Sequence, residues 1–138
     1  MKRLPNWEPR LLATVREWSG AEHRYGSRDC MLWAAAAVKA VTGEDLAKGH
    51  RGRYRSAAGA ARYLRGLGFD SPAAMVAAHL PEIPAALARR GDIVADPDGV
   101  PGVCLGAKVA FVGAEGSRPG LVTRPTVQCG QAWRVGDE

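Results

Sequence analysis

The chain has little from which to build a stapled or metal-held fold. Three cysteines occur in 138 residues, Cys30, Cys104 and Cys129, and no two stand in a Cys-x-x-Cys spacing. An odd number cannot all pair within one chain, so neither a disulfide framework nor a zinc ribbon is indicated, and reduced thiols are expected. A metal cluster of all three lacks spacing support, and no metal or cofactor is expected. Long apolar runs are also missing. The longest candidate, Cys30 to Val38, is short and alanine-rich against the roughly 18 residues of a membrane span, so no membrane segment is expected. The basic start, Met1-Lys2-Arg3-Leu4-Pro5, has no apolar stretch behind it, and the expectation is a cytosolically made chain without a secretory signal. Repeats, low-complexity tracts and linkers are absent as well, which leaves a single domain over residues 1–138.

What the chain does have is positive charge. Formal net charge is +5, with basic residues gathered at His50-Arg51-Gly52-Arg53-Tyr54-Arg55, at Arg62 and Arg65, and at Arg89-Arg90. Such clustering fits an anionic partner, either an acidic protein surface, a polymer or nucleic acid. No nucleic-acid motif accompanies it, so a solvated arginine-rich face is the plainer reading and nucleic acid is not the expected partner. Arg51, Arg53, Tyr54 and Arg55 are the partner-binding candidates, suited to a negatively charged neighbour in an assembly.

The first half has helical spacing. Asn6 stands where a cap would open a helix carrying Leu11, Leu12, Val15 and Trp18 on one face, closed by Gly20. A second helix opened by Asp29 carries Trp33, Ala37, Val38 and Val41 and ends at Gly43. Ser56 starts a third through Ala60 and Leu64, and Ser71-Pro72 starts a short fourth through Met75 and Val76, stopped by Pro81. From Gly91 onward short apolar runs take over: Ile93–Ala95, Val103–Leu105, Val109–Val112, Leu121–Thr123 and Ala132–Val135. Asp96-Pro97-Asp98-Gly99 forms a turn, Asp92 serves a turn or caps the sheet, and Glu115–Gly120 makes an exposed loop. Helices first and strands afterwards predict an α+β fold, with helices packed on one side of a small antiparallel sheet.

Asp29-Cys30 is the most informative pair in the chain. Asp29 can accept a hydrogen bond from a free N–H of the helix it opens. Cys30 then falls on the first turn, where the helix dipole favours a thiolate over a thiol. A nucleophilic Cys30 needs a base within hydrogen-bonding reach, about 2.6–3.2 Å. His23 is the weak candidate base, while His50 and His79 could approach only through the fold. Tyr25 either lines a cleft beside Cys30 or anchors its loop. The alternatives for Cys30 are a buried small hydrophobe and a vestige of an ancestral enzyme. Cys104 reads as core and Cys129 as exposed.

Tyr25-Gly26, Asp29-Cys30, Arg90-Gly91-Asp92-Ile93-Val94 and Gly102-Val103-Cys104-Leu105-Gly106 occur in an order that resembles the NlpC-type cell-wall peptidases. With Arg51-Gly52, Tyr54 and Ala132-Trp133-Arg134-Val135 added, the chain is more similar to a small uncharacterised family from tail-gene clusters of tailed phages and prophages. That resemblance covers nearly the whole chain. It implies a papain-like fold, with Cys30 in the nucleophile's place. It also implies a location in the virion tail, at the hub or tip, among other tail proteins and near peptidoglycan. The departures from the pattern are equally specific. The peptidases open the strand His-Val-Gly-Ile-Tyr-Leu-Gly with their base, and the corresponding residue here is Val100. The following strand, Lys108-Val109-Ala110-Phe111-Val112, offers no obvious orienting residue. The resemblance therefore implies a degenerate peptidase with a structural or assembly role. The alternatives are an active cysteine peptidase or amidase on peptidoglycan stem peptides, and a basic nucleic-acid-binding module.

Overall fold

A computed structural model describes residues 1–113 and 120–137; the expected loop at Glu115–Gly120 lies, apart from Gly120, outside the described residues. Four helices come first: α1 (Trp7–Ser19), α2 (Cys30–Thr42), α3 (Ala57–Gly66) and α4 (Pro72–Ala77). The strands follow: β1 (Glu82–Ile83), β2 (Ile93–Ala95), β3 (Pro101–Cys104), β4 (Lys108–Val112), β5 (Leu121–Pro125) and β6 (Gln131–Trp133). They form one antiparallel sheet in the order β1-β6-β2-β3-β4-β5. The fold is α+β, as the order of patterns predicts.

Local chemistry sets most helix ends. The Ser56 hydroxyl accepts from the Gly59 N–H and the Ser71 hydroxyl from the Ala74 N–H, each at 3.0 Å, with Pro72 at the first position of α4. Gly43 closes α2 with φ +84°, a left-handed conformation that glycine adopts without a Cβ penalty. Asn6 departs from expectation. It precedes α1, but its side chain makes no capping bond, and φ −105°, ψ 30° is not the extended conformation of a capping residue. Leu12 departs too. Leu11 and Trp18, seven residues apart, share the buried stripe, whereas Leu12 turns out to solvent at 49 % exposure.

α2 lies at the centre, apolar nearly all round, between α1 on one side and β3 and β4 on the other. Trp33, Ala37, Val38 and Val41 are buried there as predicted. The Trp33 ring sits 5.3 Å from Trp18, and its N–H donates to the Ala110 carbonyl at 2.9 Å, which pins the helix to β4. On the sheet, Ile93, Ala95, Val103, Ala110, Val112 and Trp133 face the helices. Val94, Cys104, Val109, Phe111 and Ala132 face the other way and are covered by Cys129 and the partly buried Ala85, Ala88 and Val100. With both faces covered, the central strands read as continuous apolar runs rather than alternating ones. Gly102 permits this packing, since a Cβ there would lie 2.6 Å from the Phe111 ring. β1 was not predicted: it is two residues long between Pro81 and Pro84, and prolines are tolerated because it is an edge strand.

Asp92 is fully buried and does more than make a turn. Its Oδ1 accepts from the Val135 N–H at 2.9 Å and from Arg3 Nη2 at 3.1 Å; Oδ2 accepts from the Arg89 N–H at 3.0 Å and lies 3.2 Å from Arg134 Nε. Arg3 donates further to the Val135 and Arg90 carbonyls at 3.0 and 2.8 Å. One carboxylate thus ties both ends of the described chain to the sheet.

Candidate functional site

The segment before α2 is shaped to deliver Asp29 and Cys30 to the helix start. Arg24 and Arg28 exchange backbone hydrogen bonds of 3.0 and 2.8 Å, and Gly26 turns between them at φ +87°. A side chain at Gly26 would collide with the Tyr54 carbonyl oxygen, so the position requires glycine for space as well as for conformation. Asp29, 2 % exposed, caps the helix through Oδ1, which accepts from the Leu32 N–H at 3.0 Å. Its Oδ2 accepts from the Gly26 N–H at 2.8 Å and from the Tyr54 hydroxyl at 2.7 Å. Cap, loop and Tyr54 therefore converge on one carboxylate.

That arrangement works against a primed thiolate. Burial, followed by the adjacent Asp29 carboxylate, pushes the Cys30 thiol from its ordinary 9.0 up to about 12. Asp96 adds to the effect, while the N–H groups of Met31 and of Cys30 itself pull the other way and lose. The reason is general: a helix terminus carries partial charges, whereas desolvation and a full carboxylate charge both act against the thiolate. Both causes favour the thiol form of Cys30, which is itself only partly buried.

The histidines are engaged elsewhere. His50 Nδ1 lies 2.6 Å from the Tyr63 hydroxyl, and His79, just past the end of α4, places its Nδ1 2.9 Å from the Met75 carbonyl. His23 sits edge-on to Tyr25 with ring centroids 4.6 Å apart, and its buried Nδ1 has no hydrogen-bond partner. No histidine is hydrogen-bonded to Cys30 among the described residues. Val100, where the peptidase pattern has its base, is partly buried against the second face of the sheet.

Tyr54 is a correction. Predicted as an exposed partner-binding residue, it is 6 % exposed and holds Asp29; burial and that carboxylate push its hydroxyl pKa up. Its ring lies tilted against that of Tyr63, with centroids 5.5 Å apart. Arg51, Arg53 and Arg55 are exposed as predicted. Arg51 is nonetheless committed to a bidentate pair with Asp45, at 2.9 Å for each bond, which lowers the Asp45 pKa and raises its own. Cys104 is core, with its Sγ 3.5 Å from the Gly106 carbonyl. Cys129, predicted exposed, is 9 % exposed because it closes the second face of the sheet. Among the described residues no group of three or more His, Cys, Asp or Glu is placed to hold a metal ion.

Two contributors escaped the sequence reading. Tyr54 reaches Asp29 across 25 positions, and no periodicity signals such a contact. Asp96 reads as a turn residue, which it is, accepting from the Asp98 and Val100 N–H groups at 2.9 Å. Only the folded sheet also brings its charge near Cys30.

Residues 2–135 match the profile of DUF6950, a domain of unknown function. The chain belongs to the DUF6950 family. No curated protein matches it. In this DUF6950 chain the matched span includes every residue of the Cys30 site, and no helix among the described residues is long and apolar enough to cross a membrane.

Proposed function

We propose that this DUF6950 chain is a papain-like, NlpC-type protein of a tailed phage or prophage, built into the tail tip or its assembly, descended from a murein peptidase and no longer cleaving. The ancestry is supported by an Asp-Cys pair heading the central helix against an antiparallel sheet, and by the glycine-rich motifs on the strands. The loss of catalysis rests on one observation: no histidine is hydrogen-bonded to Cys30 among the described residues, and the position of the peptidase base is Val100. Acyl transfer to sulfur requires a thiolate, and burial and the Asp29 carboxylate both disfavour one at Cys30. Proton transfer by a positioned base and acid is worth about 10²–10⁴-fold more, and valine at position 100 supplies neither. Incubation with muropeptides tests this directly: wild type and Cys30→Ala are expected to give the same blank trace. Product from the wild type that vanishes in Cys30→Ala would overturn the proposal.

A second reading, an active cysteine peptidase or amidase on peptidoglycan stem peptides, is favoured by His23. Its ring nitrogen is buried without a hydrogen-bond partner on the loop that leads into Cys30. That reading requires His23→Ala to abolish turnover together with Cys30→Ala.

A further inference from the structure

A cluster of cations lies away from Cys30, in a groove of about 470 Å³ between α1 and α2. Four cations line it, Arg10, Arg28, Lys39 and Arg51, against the single carboxylate of Glu17, and Ala13, Ala36 and Ala40 contribute a shallow apolar floor. We propose that this groove is a docking site for an acidic, apolar-interrupted polypeptide segment of a partner protein. None of its residues is Cys30, His23 or Asp29, so the proposal does not depend on the ancestry argued above.

The guanidinium groups are held in place before any partner arrives. Arg10 donates from Nε to the Ala40 carbonyl at 2.7 Å and from Nη2 to the Lys39 carbonyl at 3.0 Å. Arg28 lies over the Trp18 ring at 4.6 Å and 3.6 Å from Glu17. Arg51 is fixed by Asp45. A guanidinium carries five N–H donors, and each of these keeps some for another acceptor while much of its side-chain entropy is already lost.

Three features select a polypeptide. Glu17 within the groove and Asp45 behind Arg51 interrupt the continuous positive track that a phosphate backbone follows. Trp18 is buried beneath Arg28, so the groove offers no exposed ring on which a base could stack. A second concavity shares Glu17, Ser27, Arg28 and Arg51 and runs on past Arg24 and Glu22, so cations and carboxylates alternate along a path suited to an extended chain of mixed side chains rather than a compact anion. Alternating carboxylates and small apolar side chains match the cationic rim and the alanine floor.

Fluorescence anisotropy at low salt tests the proposal, using a fluorescein-labelled peptide of alternating glutamate and alanine, its lysine-for-glutamate counterpart, and a labelled DNA duplex. Lys39→Glu reverses an exposed charge on the groove, and Arg62→Glu makes the same change on α3, outside it. The acidic peptide is expected to bind wild type and Arg62→Glu alike, and Lys39→Glu at least about tenfold more weakly, with the lysine peptide and the duplex binding no better than background. Circular dichroism confirms that both variants fold. Equal loss in the two variants would reduce the effect to net charge and overturn the proposal. So would duplex affinity exceeding that of the peptide, or no peptide affinity at low salt.

Discussion

At the scale of single residues, Cys30 and Asp29 oppose one another. The carboxylate that anchors the loop and starts the helix also suppresses ionisation of its neighbour. Two measurements follow from this. Alkylation of Cys30 by iodoacetamide stays slow through neutral pH and accelerates only in strongly alkaline solution; a thiolate persisting below about pH 6 would refute the geometry. Stability carries the same signature. In the unfolded chain the thiol ionises near its ordinary 9.0, while the folded one holds its proton to about 12. The unfolded state therefore binds fewer protons across that window, and stability falls as pH rises through it, at most about 1.4 kcal/mol per pH unit for the one group. Cys30→Ser is expected to flatten that slope in urea melts, leaving contributions from Cys104, Cys129 and Tyr54, whose pKa values are also raised. Asp29→Asn separates the two roles of Asp29. Its oxygen can still cap Leu32, but its amide N–H then faces the Gly26 N–H, so the Cys30 pKa falls while stability drops by about 1–3 kcal/mol.

At the scale of elements, the helix starts form a graded series. Ser56→Ala and Ser71→Ala each remove a formed capping bond and are expected to lower stability by about 1 kcal/mol in denaturant titrations. Asn6→Ala is expected to change it little, since no capping bond exists to lose. Equal effects at Asn6 and Ser56 would contradict this difference. Short-range chemistry of this kind was legible in advance: Asp29, Ser56, Ser71-Pro72 and Gly43 announce helix ends, and Asp96-Pro97-Asp98-Gly99 announces a turn. Asn6 shows the limit of that reading, because residue type permits a cap while the entering backbone decides whether the side chain reaches it. Leu12 shows another, because an apolar residue on a helix is buried only where a second element covers it.

At the scale of the molecule, the ends of the described chain meet. Arg3 and Val135 both bind Asp92, and the Arg3 N–H also donates to the Asp137 carbonyl at 2.8 Å. Asp92→Ala breaks the buried pair with Arg3 and removes the acceptor of the Val135 N–H, and is expected to remove about 3–5 kcal/mol in equilibrium unfolding. A loss below about 1 kcal/mol, the range of an exposed ion pair, would show that the clamp is not a buried one.

The sequence alone determined the α+β order, the extents of α2 and β2, and the residues that head the helices, because these follow from periodicity and from hydrogen bonds between near neighbours. Tertiary structure decided the surroundings of the sulfur, the burial of Tyr54 and Cys129, and the grouping of cations between α1 and α2. Desolvation and charge–charge contact depend on which segments fold against one another, and no local pattern encodes that.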